Sequence, residues 1–388
     1  MARDTRLDHN IAGLDGLRAV AALAVFGVHF GQFTGVSLVA GPFELRSLLE
    51  NGELGVALFF VLSGFLLSTP FWHAVRDGKP LPSFRAYALR RAARILPLYY
   101  LVLGVLIVLY GTWRYPGGWW DIALHAVFLF DFTEFSVQSI NPPFWTLAVE
   151  MQFYLLLPIL FVCLRRSGLR PSWAAIAWLA LGCVAIYAID YGSFRWFSRT
   201  VAWPFDPRLV WIRPGGAALT YSLPGHLPHF LIGVGAAAIA VMWPDRERSR
   251  PLLFEAGFWI AAAVVLVLAA TGSVDVLGVP HGRYGLPGVP LLIGLLVYAA
   301  PRATFARRVL EAFPLRPLGT ISYGIYVFHY PCQFITAWQL HVHGIDAGSA
   351  WATFGAGSLA ATIVLASLSY LLFERPIMRF VRRRTARA

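Results

Sequence analysis

Residues 14–30 read LDGLRAVAALAVFGVHF, an apolar run broken only by Asp15, Arg18 and His29. Extended to about 12–33, it reaches the roughly 20 residues that a helix needs to cross a bilayer. Nine further runs of this kind follow, at about 53–72, 95–112, 144–164, 173–190, 226–243, 256–274, 286–301, 319–340 and 351–373. The expected fold is an all-α polytopic membrane protein of about ten transmembrane helices. An eleventh candidate, 121–133, has Asp121 and Asp131 near its ends and contains His125. A segment that short reads as interfacial or re-entrant rather than spanning.

Composition agrees with that reading. Of 388 residues, 13% are charged, about half the usual share of a soluble domain. The 58% of hydrophobic residues exclude disorder, and a soluble enzyme could not hide so much apolar surface. Cys163, Cys183 and Cys332 are scattered and show no metal-ligand spacing, so no metal site is expected. The polar N-terminus and the lack of a small-residue cleavage site make the first run a retained span rather than a signal peptide.

The net charge of +12 has two readings, a nucleic-acid surface or a topology signal. With ten spans and both termini cytoplasmic, 24 of the 32 basic residues fall on the cytoplasmic side, divided among six segments. If 121–133 spanned, the later loops would invert. The charge therefore marks topology. The chain 1–388 is expected to be a single membrane domain in the cell membrane. Its extracytoplasmic loops are 113–143 and 191–225, rich in aromatics, Pro and Gly, and 374–388 is a basic cytoplasmic tail.

Ionisable groups inside spans are costly and tend to be functional. Arg18 and His29 are 11 residues apart, on one helix face and about 16 Å apart along the axis. Asp15 is within reach of Arg18. Arg18 reads either as a paired, snorkelling anchor or as a ligand group. His29 reads either as an interfacial histidine or as a catalytic one. In NPPFWTLAVEMQFYLLLP (141–158), Glu150 lies two turns into a span that enters from outside, at a depth like that of His29 when counted from the helix ends. His29 as general base, with Glu150 orienting it, is one reading. A structural pairing of Glu150 with Arg195, Arg199, Arg208 or Arg213 is the other. Arg91 and Arg94, in FRAYALRRAARILPLYY (84–100), share a face near the cytoplasmic side. They suit phosphates, or serve as a plain anchor. Ser63 and Gly64 in LFFVLSGFLLS (58–68) read as small residues for close helix packing. Tyr323 and His329 in LGTISYGIYVFHYP (318–331) read as cavity contacts or as helix–helix hydrogen bonds.

Taken in order, these motifs, closed by FERP at 373–376, resemble the acyltransferase-3 family of bacterial integral membrane O-acyltransferases along nearly the whole chain. The resemblance implies transfer of an acyl group, commonly acetyl, from acyl-CoA to a hydroxyl, with no permanently bound cofactor. It maps the family's functional Arg-x10-His and Arg-x-x-Arg motifs onto Arg18/His29 and Arg91/Arg94. Some members carry a fused SGNH esterase-like domain, which a chain ending at Ala388 lacks; transfer is then expected within the membrane domain. In this reading Arg18, Arg91, Arg94 and Tyr323 hold the donor, His29 and Glu150 are catalytic, and Asn141, Trp145 and His329 face the acceptor. That acceptor is a cell-surface glycan or glycolipid, or alternatively a macrolide-type natural product. A glycolipid transporter is the rival class, weakened by the absence of repeated halves.

Overall fold

A computed structural model describes residues 11–133, 135–168, 177, 181–182, 221–243, 251–278 and 283–385. Its principal elements in chain order, short helices and 3-10 turns aside, are helix α1 (Leu14–Thr34), a small hairpin of β1 (Val39–Ala40) and β2 (Phe43–Glu44), then α2 (Leu54–Arg76), α3 (Phe84–Tyr110), α4 (Gly118–Ala126) and α5 (Trp145–Ser167). After these come α6 (Leu223–Met242), α7 (Pro251–Ala270), α8 (Gly288–Ala299), α9 (Thr304–Glu311), α10 (Ser322–Val342), α11 (Trp351–Ser369) and α12 (Arg375–Thr385). Among the described residues, seven helices are long and apolar enough to cross a bilayer, or eight if α8 and α9 form one broken span. The protein is a multi-pass membrane protein.

Several expectations change in detail. Nearly all of the expected span 173–190 and of loop 191–225 lies outside the described residues, and with it Arg195, Arg199, Arg208, Arg213 and the loop's three tryptophans. The expected span 286–301 is a 12-residue helix that meets α9 at 89°. Helix α10 has the length to span, but its polar residues keep it below the apolarity of the others. The third span begins at Phe84, not near 95, so its basic residues are helical. The expected tail is a helix: α11 passes through a π-turn at Tyr370–Glu374 directly into α12. Segment 121–133 is short and non-spanning, as its length demanded, with α4 ending at Ala126 and a single 3-10 turn at Phe130–Phe132.

The core is built on backbone proximity. A Cβ on Gly64 of α2 would collide with the carbonyl oxygen of Phe230 in α6, and one on Gly233 would collide with that of Val61. With little hydrophobic drive between helices in lipid, such close approach is what van der Waals association requires. An aromatic column grows around the contact. Phe60 stacks on Phe230 with centroids 4.5 Å apart, Phe153 stacks on Phe230 at 4.0 Å, and Trp72 donates to the Val234 carbonyl at 3.0 Å. Helix α1 leans on the same unit, because Gly52 and Gly55 leave room for the carbonyls of Ala24 and Ala21.

Replacing Gly64 or Gly233 by Val should therefore cost more than ~3 kcal/mol, the upper range for overpacked sites that can relax. The expected reading is loss of the monodisperse detergent-solubilised peak, with Gly104→Ala, whose added methyl meets nothing within 4 Å, left unchanged. Native-like thermal stability of Gly64→Val would refute the close contact.

Candidate active site

A cavity of about 800 Å³, including its open mouth, lies between α1, α2, α3, α5 and α10. Arg18, Arg91, Arg94 and Tyr323 all line it, together with Ser63 and Glu150. Arg18 keeps an ion pair with Asp15 at 2.8 Å, so the paired and the cavity-lining readings both hold. Tyr323 donates to the Ile95 carbonyl at 2.7 Å, which fixes its ring, and the Arg94 guanidinium sits 5.9 Å from that ring's centre. Arg94 also reaches the Met378 sulfur at 3.8 Å. The Arg91 Nε is buried without a hydrogen-bond partner. Three guanidiniums face one chamber, balanced by Asp15 and Glu150, which leaves a surplus of donors for an anionic group.

Glu150 does not meet His29. Its Oε1 accepts a 2.5 Å hydrogen bond from the Ser63 hydroxyl. Because Gly55 of α2 packs on Ala21 of α1, the two helices share a reference level. From it Ser63 lies eight residues along α2 and His29 eight residues along α1, each about 12 Å along its own axis and in opposite senses. His29 is not in the cavity wall. It stacks on His329 with centroids 5.2 Å apart and rings 30° from parallel, and Tyr330 meets it edge-on at 5.1 Å. The His29 Nδ1 contacts the Gln32 Oε1 at 2.8 Å.

His329 is fully buried, and its Nδ1 lies 2.6 Å from the Tyr326 carbonyl. A carbonyl only accepts, so Nδ1 carries the proton and Nε2 is left as a basic lone pair. That Nε2 has no hydrogen-bond partner. Between the histidine pair and the cavity stands Tyr326, which lines the cavity wall. Its hydroxyl accepts from Thr146 at 2.7 Å and donates to the Pro143 carbonyl at 2.8 Å.

The expected acceptor residues do not converge. Trp145 faces Tyr221 and His226, at 4.9 and 5.0 Å, away from the cavity wall. Asn141 is buried and donates to the Val327 carbonyl at 3.3 Å. Sequence reasoning gave Ser63 a packing role only, and passed over Thr146 and Tyr326 and the buried His226 and His229 beside Tyr284. One signal was there: Tyr323, Tyr326 and His329 recur every third residue and share a face.

Ser63→Ala leaves the Glu150 carboxylate without that donor, at an expected cost of ~1–3 kcal/mol. Adding Glu150→Leu should return part of the loss, read as the melting temperature of the purified protein in detergent. If Ser63→Ala melts with the native protein, the hydrogen bond carries no weight.

The helices and the chamber together define a multi-pass membrane protein holding a basic, half-open cavity within its bundle. The chain belongs to the acyltransferase-3 family, whose model, an acyltransferase domain, it matches over residues 11–371. It is 26% identical to the peptidoglycan O-acetyltransferase OatA of Listeria monocytogenes, covering 98% of this chain and 58% of that protein. It is 28% identical to the putative peptidoglycan O-acetyltransferase YrhL of Bacillus subtilis, covering 97% and 56%. Acyltransferase MdmB of Streptomyces mycarofaciens is 26% identical over 96% of this chain and 93% of its own length. The chain thus spans little more than half of the first two relatives. No solved structure matches it.

Proposed function

We propose that the protein is a membrane O-acyltransferase that moves an acyl group, commonly acetyl, from acyl-CoA to a hydroxyl of a cell-surface glycan or glycolipid. The observation that carries this reading is the convergence of Arg18, Arg91 and Arg94 from two helices on one cavity, a fork arrangement suited to the phosphates of a CoA-type donor. The names of OatA and YrhL support the acceptor class. The nearly full-length match to MdmB favours a second reading, an acceptor hydroxyl on a macrolide-type natural product.

The thioester arm runs from the chamber of the arginines, Ser63 and Glu150 past Thr146 and Tyr326 towards the histidine pair, with His29 about 16 Å from Arg18 along α1. His29 Nε2 takes the proton of the acceptor hydroxyl, whose oxygen attacks the thioester carbonyl. The C–S bond breaks, and the thiolate leaves as the CoA thiol after taking up that proton. His329, not Glu150, is the side chain that packs against the His29 ring and holds its orientation, because the two rings stack. Glu150 and Ser63 instead hydrogen-bond the polar groups of the donor arm.

The deciding assay follows thiol release from acetyl-CoA by purified protein, with and without acceptor. His29→Ala should lose about 10²-fold or more, the usual range for a general base. Arg91→Ala and Arg94→Ala should raise the donor KM more than they lower kcat. Full activity of His29→Ala would remove it from the chemistry. Movement of a glycolipid without thiol release would make the protein a transporter.

A further inference from the structure

The segment after α3 has its polarity inside out. Asp121, His125, Asp131, Thr133 and Ser136 are buried at 0–1% exposure, while Trp119, Trp120 and Val127 are 70%, 62% and 60% exposed. In water the reverse is expected, since an exposed apolar face beside buried polar groups gains nothing from solvation.

Most of the buried polar atoms satisfy one another, the Asp131 Oδ1 being left without a partner. Asp121 accepts from Tyr115 at 2.7 Å and from Ser139 at 2.9 Å, and lies 3.1 Å from the His125 Nδ1. Gln152 of α5 donates to Asp131 at 2.7 Å, and the Thr133 and Ser136 hydroxyls bond each other. The backbone is closed in the same way. The amides of Val127, Phe128 and Leu129 bond back to Leu124 or His125. The carbonyls of His125 and Ala126, at the end of α4, accept from the Tyr99 and Tyr100 hydroxyls at 2.8 and 2.7 Å. A helix end leaves such carbonyls unpaired, and hydrocarbon tolerates none.

The depth follows from α3. Tyr99 and Tyr100 lie ten or eleven residues before its end at Tyr110, about 15 Å along the axis. The uninterrupted apolar part of α3, Ile95–Tyr110, covers about 24 Å, less than the roughly 30 Å of a hydrocarbon core. Its exposed Leu101, Val105, Val108 and Leu109 form a lipid-facing row. The end of α4 is therefore docked beside a stretch of α3 that is already at membrane depth, and its exposed side chains continue that row.

We propose that residues 111–133 form a re-entrant hairpin sunk in the leaflet at the apolar end of α3, with Trp119, Trp120, Val127 and Leu129 against lipid acyl chains. In the positive-inside orientation this is the outer leaflet. The inference rests on the helices being membrane spans and is independent of acyl transfer.

The test places single cysteines in a full-length chain whose three natural cysteines are changed to Ala, reconstituted in phosphatidylcholine vesicles. Val127→Cys and Leu129→Cys are compared with Val108→Cys, a lipid reference on α3, and Ala40→Cys, a water reference on the hairpin. A charged maleimide should label positions 127 and 129 at least tenfold more slowly than position 40. A fluorophore on them should be quenched by acyl-chain-brominated lipid, as at 108. Labelling as fast as at 40, without quenching, would make the segment an aqueous lid and overturn the proposal. Should the altered background not fold, Val127→Arg in the native chain should cut the folded yield about tenfold or more against Val127→Leu, while Ala40→Arg leaves it unchanged. Equal yields of Val127→Arg and Val127→Leu would equally refute it.

Discussion

Helices α2 and α6 meet backbone against backbone, and the cavity exists because they do. Gly64 offers α6 no side chain, so the Phe230 carbonyl comes to rest against it. Successive helical residues are turned about 100° from each other, so Ser63 then faces away from α6 and into the chamber, where it meets Glu150. The aromatic column of Phe60, Phe153 and Phe230 stiffens the wall behind it. Had the two helices stood a side chain further apart, the Ser63–Glu150 contact would open and a half-buried carboxylate would lose its hydroxyl donor, at a cost.

Around that wall the scarce polar groups divide into two stations. The arginines, Tyr323, Ser63 and Glu150 share the cavity, while His29 and His329 stack on each other beyond Tyr326. Tyr326 belongs to both. Its hydroxyl is fixed by Thr146 and Pro143, and its carbonyl sets the tautomer of His329. The lone pair of His329 and the floor of the cavity are thus held by a single residue of α10.

The sequence made the arginine side legible and the histidine side less so. Arg18, Arg91, Arg94 and Tyr323 were readable because charge is so rare in these spans that each such group must find a chamber or a partner. The pairing of His29 with Glu150 failed because depth was counted from helix ends, as though each began at one plane. Helix α5 instead begins behind a folded-in segment in which Phe130, Ile140, Asn141 and Phe144 are buried, so residues early in α5 lie deeper than counting suggests. The same recess took Asn141 and Trp145 out of the cavity wall. Ser63 was hidden because it adjoins Gly64, and one small-residue motif can serve packing on one face and chemistry on the next. The apolar run ends at 301, where α8 breaks from α9, but it left no mark of the 89° turn between them, because an apolar pattern records burial and not direction.

The π-turn at Tyr370–Glu374 acts as a phase shifter. A turn closed five residues apart is wider than an α-turn and inserts an extra step of rotation, so the basic helix α12 leaves the bundle at a different angular setting from α11. With this setting Glu374 is buried and Met378 touches Arg94. The C-terminal helix is thereby geared to the wall of the cavity, and a twist of that exposed lever would be felt at an arginine inside it.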